Sequence, residues 1–115
     1  MSELAPARVA ELIASRRAQL VDVRTEEEYE AGHIAEARLI PVDRLAAESG
    51  TLDRGRAVVL YCRSGERSGA AAKAFGASGW DAHSMAGGLL AWAEQERPLE
   101  PEGGEVVHQS GLPPR

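Results

Sequence analysis

The chain has 115 residues, a length typical of one domain, and its 43% hydrophobic and 27% charged residues are close to the average for globular proteins. The 13 basic and 18 acidic residues give a net charge of −5, which disfavours non-specific binding to nucleic acid. One cysteine excludes an internal disulfide and the zinc sites that need several cysteines.

Helical and strand patterns alternate along the chain. Val9, Leu12 and Ile13 recur at helical spacing, and Thr25 with Glu28 forms the capping box that starts a short helix. In chain order we predict a helix over Ala7–Arg17, a strand over Leu20–Val23, a helix from Thr25 to Gly32, a strand over Arg38–Ile40, a helix over Val42–Glu48, a strand over Ala57–Tyr61, a helix over Ser68–Ala77, a strand over Trp80–Ser84 and a helix over Leu89–Glu96.

This alternation predicts an α/β fold with a mainly parallel sheet and helices on both faces. The continuous apolar run Val58–Leu60 indicates a strand that is buried on both faces, as in a parallel sheet. We expect residues 1–98 to form a single domain and residues 99–115 to form a Pro/Gly-rich tail that wraps the surface or is mobile. No segment has the pattern of a signal peptide or a membrane span, so we expect a cytoplasmic protein that does not bind membranes.

The segment Cys62–Ser68 carries the chemistry. A buried strand ends at a cysteine, and a short polar loop then leads into a helix. Ligands of open α/β sheets bind at the carboxyl ends of strands, and backbone N–H groups that curl before a helix form an anion-binding nest. Gly65 permits the positive φ of a tight curl, while Arg63 and Arg67 add positive charge. We therefore expect a nucleophilic Cys62 thiolate, in preference to the alternative of a small buried apolar residue.

Several separate motifs resemble those of the rhodanese-like domain family. Cys62–Ser68 is similar to its active-site loop, and Leu20–Arg24 followed by Glu28-Tyr29 and Gly32–Ile34 is similar to its first signature. Two further landmarks of the family resemble Ile40-Pro41 and the stretch from Gly87-Gly88 through Trp92. Together they cover about Ala7 to Pro98, and their order and spacing are more specific than any one of them.

The resemblance implies five parallel strands with helices on both faces, and a sulfurtransferase without a metal or organic cofactor. Cys62 would take a sulfane sulfur from a donor such as thiosulfate, hold it as a persulfide and pass it to cyanide, a thiol or a protein acceptor. The catalytic residue is then Cys62. The substrate-binding residues are Arg63, Ser64, Gly65, Glu66, Arg67 and Ser68, with Asp22 and Arg24 in support.

Some roles within this site stay open. Arg63 contacts the substrate anion or is a surface charge at the mouth of the loop, and Arg67 contacts the anion or holds the loop through its carbonyl groups. Asp22 and Arg24 form a buried ion pair that supports the site, or a salt bridge with a structural role only; for both residues we favour the structural role.

Two other functions compete with sulfur transfer. One is a phosphatase or arsenate reductase on the same fold, but only four residues separate Cys62 from Arg67, whereas similar folds that act on phosphate esters have one more. The other is a sulfur-carrier or regulatory docking domain without turnover of its own, against which the retained cysteine argues.

Overall fold

A computed structural model describes residues 2–108 and shows a parallel sheet with helices on both faces. Within these residues the sheet has five strands in the order β1-β5-β4-β2-β3, and every neighbouring pair is parallel. The strands are β1 (Ser2–Leu4), β2 (Ala18–Asp22), β3 (Arg38–Leu39), β4 (Ala57–Tyr61) and β5 (Ala82–Met85). The predicted fold class is confirmed.

The helices cover the sheet in two layers. They are α1 (Pro6–Ala14), α2 (Glu26–Ala31), α3 (Leu45–Glu48), α4 (Glu66–Ala77) and α5 (Gly88–Glu94), and short 3₁₀ turns at Val42–Arg44 and Ser49–Thr51 flank α3. Side chains alternate between the faces of a strand. Val59 on β4 accordingly packs in one cluster with residues of α1 and α5, whereas Val58 and Leu60 pack in a second cluster with residues of α3 and α4.

Two predicted helix boundaries were wrong for local reasons. The first helix ends at Ala14 rather than Arg17, since Arg16 adopts φ +58° and cannot continue it. The helix predicted from Ser68 begins at Glu66, after Gly65 at φ +107°. The capping box predicted at Thr25 is present, with both of its hydrogen bonds formed.

The sequence patterns did not reveal β1. Its three residues pair with β5 in the register Ser2 to His83 and Leu4 to Met85, which makes it an edge strand. A run this short shows no alternation of polar and apolar residues, so only the neighbouring strand identifies it.

The described part of the predicted tail packs back on the domain. Glu100 exchanges two backbone hydrogen bonds with His33, and the Glu105 N–H donates to the Ala31 carbonyl. Val107 is buried. Residues 109–115 of this predicted tail lie outside the described residues, and the division at residue 98 stays a prediction. None of the helices within residues 2–108 has the length and apolar character needed to cross a bilayer.

Candidate active site

Cys62 follows the last residue of the central strand β4, and its side chain is 1% exposed. The Sγ atom accepts hydrogen bonds from the backbone N–H of Gly65 at 3.1 Å and of Ser68 at 3.4 Å. Both donors belong to the start of α4, where the helix dipole is positive. The curl expected from the sequence is therefore present, and it converges on the sulfur atom.

Gly65 shapes this curl. Its φ of +107° lies in the left-handed region, which a residue with a Cβ atom rarely adopts. Because the helix starts immediately after it, Arg67 and Ser68 lie in the first turn of α4 rather than in a loop. The loop proper consists of Arg63, Ser64 and Gly65.

The N-terminus of α5 holds the other side of the loop. The Leu89 and Leu90 N–H groups donate to the carbonyl oxygens of Cys62 and Arg63, at 2.8 and 3.0 Å. Gly88 makes this approach feasible, since a Cβ atom there would lie 2.5 Å from the Arg63 oxygen. The Gly87-Gly88 pair thus allows the start of α5 to lie directly against the loop.

Arg67 is committed to an ion pair. Its Nη1 and Nη2 donate to the two carboxylate oxygens of Glu28 at 2.8 and 2.9 Å, with Glu28 fully buried and Arg67 23% exposed. The pair with Glu28 takes the place of the bond to loop carbonyls, which was one of the two roles left open for Arg67. The sequence indicated a capping role for Glu28 but not this pair; Glu28 fills the capping role as well, since it accepts from the Thr25 N–H.

Glu28 is held in its charged form despite its burial. Burial raises the pKa of Glu28. The hydrogen bonds from Arg67 and from the Thr25 backbone, together with the charges of Arg67 and Arg24, lower this pKa by more than burial raises it, so the net shift is downward. The pKa of Arg67 is raised, chiefly by its hydrogen bond to Glu28.

Glu28→Gln should lower the free energy of unfolding by about 1–3 kcal/mol near neutral pH, because a charge-assisted pair is lost. The folded-state pKa of Glu28 lies below its unfolded value, so this stabilisation is present above the unfolded value and is lost as pH falls through the folded one. Urea unfolding at several pH values from about 7 to about 3 should therefore show the difference from the unmodified chain shrinking in acid. Glu27→Gln, at an exposed position of the same turn, is the matched control, and an equal loss in both variants would contradict the assignment.

Arg63, by contrast, has a polar group that the described residues leave without a partner. Its side chain is partly exposed, but the Nε atom is buried and forms no hydrogen bond within residues 2–108. Ser64 and Glu66 are exposed at the rim of the loop. Of the two arginines that follow Cys62, Arg63 is therefore the one left available to an incoming anion.

Two buried serines lie behind the nucleophile. The Ser68 hydroxyl is 3.5 Å from Cys62 Sγ and 3.4 Å from the Gly65 carbonyl oxygen, and it is 2.8 Å from the hydroxyl of Ser84 on β5. Ser68 was predicted to belong to the site. Ser84 was not, because it stands outside the loop motif and only the pairing of β4 with β5 brings it close.

Asp22 and Arg24 form a fully buried ion pair at the end of β2. The Asp22 carboxylate accepts from Arg24 Nε at 2.9 Å and Nη2 at 2.7 Å, and Nη2 also donates to the Gly32 carbonyl oxygen. The Arg24 guanidinium lies 5.7 Å from the centre of the ring of Tyr61, the residue that precedes Cys62 in the sequence. Burial lowers the pKa of Arg24, but the hydrogen bond and charge of Asp22, together with the influence of Tyr61 and Glu28, raise it by more, so the net shift is upward. Within the described residues, no hydrogen bond joins the pair to Cys62, so its support of the site stays a prediction.

Comparison with known proteins identifies similar chains. A sequence model described as "Rhodanese-like domain" matches residues 5–95. A protein of Allochromatium vinosum named "Sulfurtransferase" is 36% identical over 86 residues, which are 73% of this chain and 80% of that protein. The probable adenylyltransferase/sulfurtransferase MoeZ of Mycobacterium tuberculosis is 39% identical over 90 residues, which are 76% of this chain.

The chain spans only 23% of the length of MoeZ, and it spans 62% of another relative, YqhL of Bacillus subtilis. Among solved structures, a rhodanese-related protein from Thermoplasma volcanium superposes with a TM-score of 0.82 at 27% identity, covering 89% of this chain and all of that one. Sequence and fold therefore point to the same group of proteins.

Proposed function

The chain belongs to the rhodanese-like domain family, and on this basis we propose that it is a sulfurtransferase that carries sulfur as a persulfide on Cys62. The observation that supports this proposal most directly is the position of Cys62 Sγ, which accepts two hydrogen bonds from backbone N–H groups at the N-terminus of α4. Relatives that are named sulfurtransferases support this class of reaction.

The proposed reaction has two steps. The Cys62 thiolate attacks the outer sulfur of thiosulfate, the S–S bond of the donor breaks, and sulfite leaves with the electron pair. The terminal sulfur of the new persulfide then carries the negative charge, which the N–H groups of the loop stabilise. In the second step cyanide or a thiol attacks this sulfur, and the Cys62 thiolate is released.

The ion pair of Arg67 favours sulfur over phosphate chemistry. An arginine that neutralises a buried carboxylate is not free to clamp a phosphoryl group, so the loop offers a phosphate ester one arginine and not two. We also propose a cytoplasmic location, where reducing conditions keep a lone thiol available.

Intact-protein mass spectrometry tests the proposal. Incubation with thiosulfate should add one sulfur atom, and cyanide should remove it. Because the chain has a single cysteine, a cyanide-sensitive gain of sulfur can be assigned to Cys62. A chain that gains no sulfur from thiosulfate or from low-molecular-weight persulfides, although its Cys62 is alkylated readily, would contradict sulfur transfer.

Arg63→Ala should raise the KM for thiosulfate by about 10- to 100-fold, since it removes a charge-assisted contact with the donor. Arg63→Lys should recover part of this loss, because a lysine keeps the charge but not the planar fork. Steady-state kinetics of thiocyanate formation gives these values. Arg8→Ala, at an exposed position of α1 on the opposite face of the sheet, serves as the control, and equal KM values for Arg63→Ala and this control would exclude the contact.

A further inference from the structure

Ser84 is a fully buried residue of β5 that the mechanism above does not use. It lies two positions after Ala82, so both side chains point to the face of the sheet that α4 covers. Its hydroxyl is 2.8 Å from the hydroxyl of Ser68, which in turn is 3.5 Å from Cys62 Sγ. The nucleophile is therefore the end of a chain of two buried hydroxyl groups.

The position of Ser84 constrains the Ser68 proton. The Ser68 hydroxyl has two acceptors within reach besides Ser84, the Gly65 carbonyl oxygen at 3.4 Å and Cys62 Sγ at 3.5 Å. When Ser84 donates to the Ser68 oxygen, the Ser68 proton must point to one of these two acceptors. A thiolate or a persulfide anion is the stronger acceptor, because hydrogen bonds to ionised groups are stronger than those between neutral groups.

We propose that Ser84 is a positioning residue that directs the Ser68 hydroxyl onto the sulfur of Cys62. A donated bond polarises the hydroxyl that receives it, so the second bond in such a chain is strengthened. The role of the Ser84 and Ser68 hydroxyl groups in turnover rests on the proposed sulfur transfer. Their effect on the cysteine itself does not, because a thiolate of Cys62 benefits from the same bond.

Ser84→Ala tests the proposal through the reactivity of the cysteine. The rate of alkylation of Cys62 by iodoacetamide at neutral pH should fall about threefold to tenfold, as expected for the loss of one hydrogen bond. The kcat of thiocyanate formation should fall by a similar factor, and the KM for thiosulfate should not change, because Ser84 is buried away from the donor. In a Ser68→Ala background the same substitution should have no further effect on alkylation.

The Ser68→Ala background distinguishes a positioning role of Ser84 from a role in packing. A loss caused by poorer packing of β5 would persist without Ser68, so an equal effect of Ser84→Ala in both backgrounds would overturn the proposal. An unchanged alkylation rate in Ser84→Ala would also overturn it. His83→Ala is the matched control on the neighbouring position of β5, where the side chain contacts Ser2 and Asp81 instead, and it should alkylate at the unmodified rate.

The same experiment distinguishes failure of the positioning role from failure of sulfur transfer. If no donor converts Cys62 to a persulfide, but Ser84→Ala lowers the alkylation rate only when Ser68 is present, the positioning role of Ser84 is supported and the proposed function fails. If a persulfide forms and Ser84→Ala is alkylated at the unmodified rate, the proposed function is supported and the positioning role of Ser84 fails.

Discussion

Cys62→Ser should abolish the gain of sulfur from thiosulfate and reduce thiocyanate formation by at least about a thousandfold. Serine occupies nearly the same volume, so the contacts of the loop are kept. A hydroxyl group is far less acidic than a thiol, however, and it cannot store sulfane sulfur. The expected loss is therefore chemical and should leave the free energy of unfolding nearly unchanged.

Mass spectrometry and urea unfolding on the same preparation check both parts of this result. Ser78→Ala, at an exposed position just after α4, provides a control, since this serine lies at the opposite end of the helix from Cys62 and the variant should retain the sulfur gain. Persulfide formation in Cys62→Ser would exclude the proposed route altogether, as the variant has no other thiol. Loss of folding in Cys62→Ser would leave Cys62→Ala as the variant to measure.

Asp22→Asn should cause the largest loss of stability, about 3–5 kcal/mol. Both members of the Asp22–Arg24 pair have fully buried side chains, so neutralising the carboxylate leaves a guanidinium charge in the interior without its partner carboxylate. A domain of this size is stable by only about 5–15 kcal/mol in total, so the variant is expected to unfold at much lower urea concentrations.

A second substitution distinguishes the charge from the shape of the site. Asp22→Asn combined with Arg24→Met removes both charges and should recover part of the lost stability, because replacing both members of a buried pair costs less than breaking it. Glu11→Gln breaks the exposed pair with Arg8 and should cost less than about 1 kcal/mol. Similar losses for Asp22→Asn and Glu11→Gln would show that burial of the pair does not matter.

The features that the sequence predicted are those with local signals. The apolar run Val58–Leu60 identified the central strand, the Thr25 to Glu28 spacing identified a capping box, and Cys62 with Gly65 identified the curl of backbone N–H groups around the sulfur. Each of these patterns lies within a few consecutive residues, where backbone geometry alone connects sequence with structure.

The features of the site that it did not predict are contacts between distant residues. Glu28 and Arg67 are 39 positions apart, and Ser68 and Ser84 are 16 apart. Neither pair has a spacing rule, because the distance between them is set by the order of strands in the sheet. Glu28 was a plausible cap by itself, and that local role concealed its second one.

The contact between α5 and the loop has a consequence for protein engineering. Amide N–H groups of the loop can face the sulfur because the carbonyl groups of Cys62 and Arg63 point elsewhere, where they accept hydrogen bonds from the Leu89 and Leu90 N–H groups. Without that helix the same carbonyl groups would need other donors, and the dipoles of the loop would be free to rotate toward the anion and repel it. Grafting the seven residues Cys62–Ser68 onto another scaffold would thus transfer the sequence of the motif but not the orientation of its backbone N–H and carbonyl groups. A working transplant has to carry the glycine-led start of α5 as well.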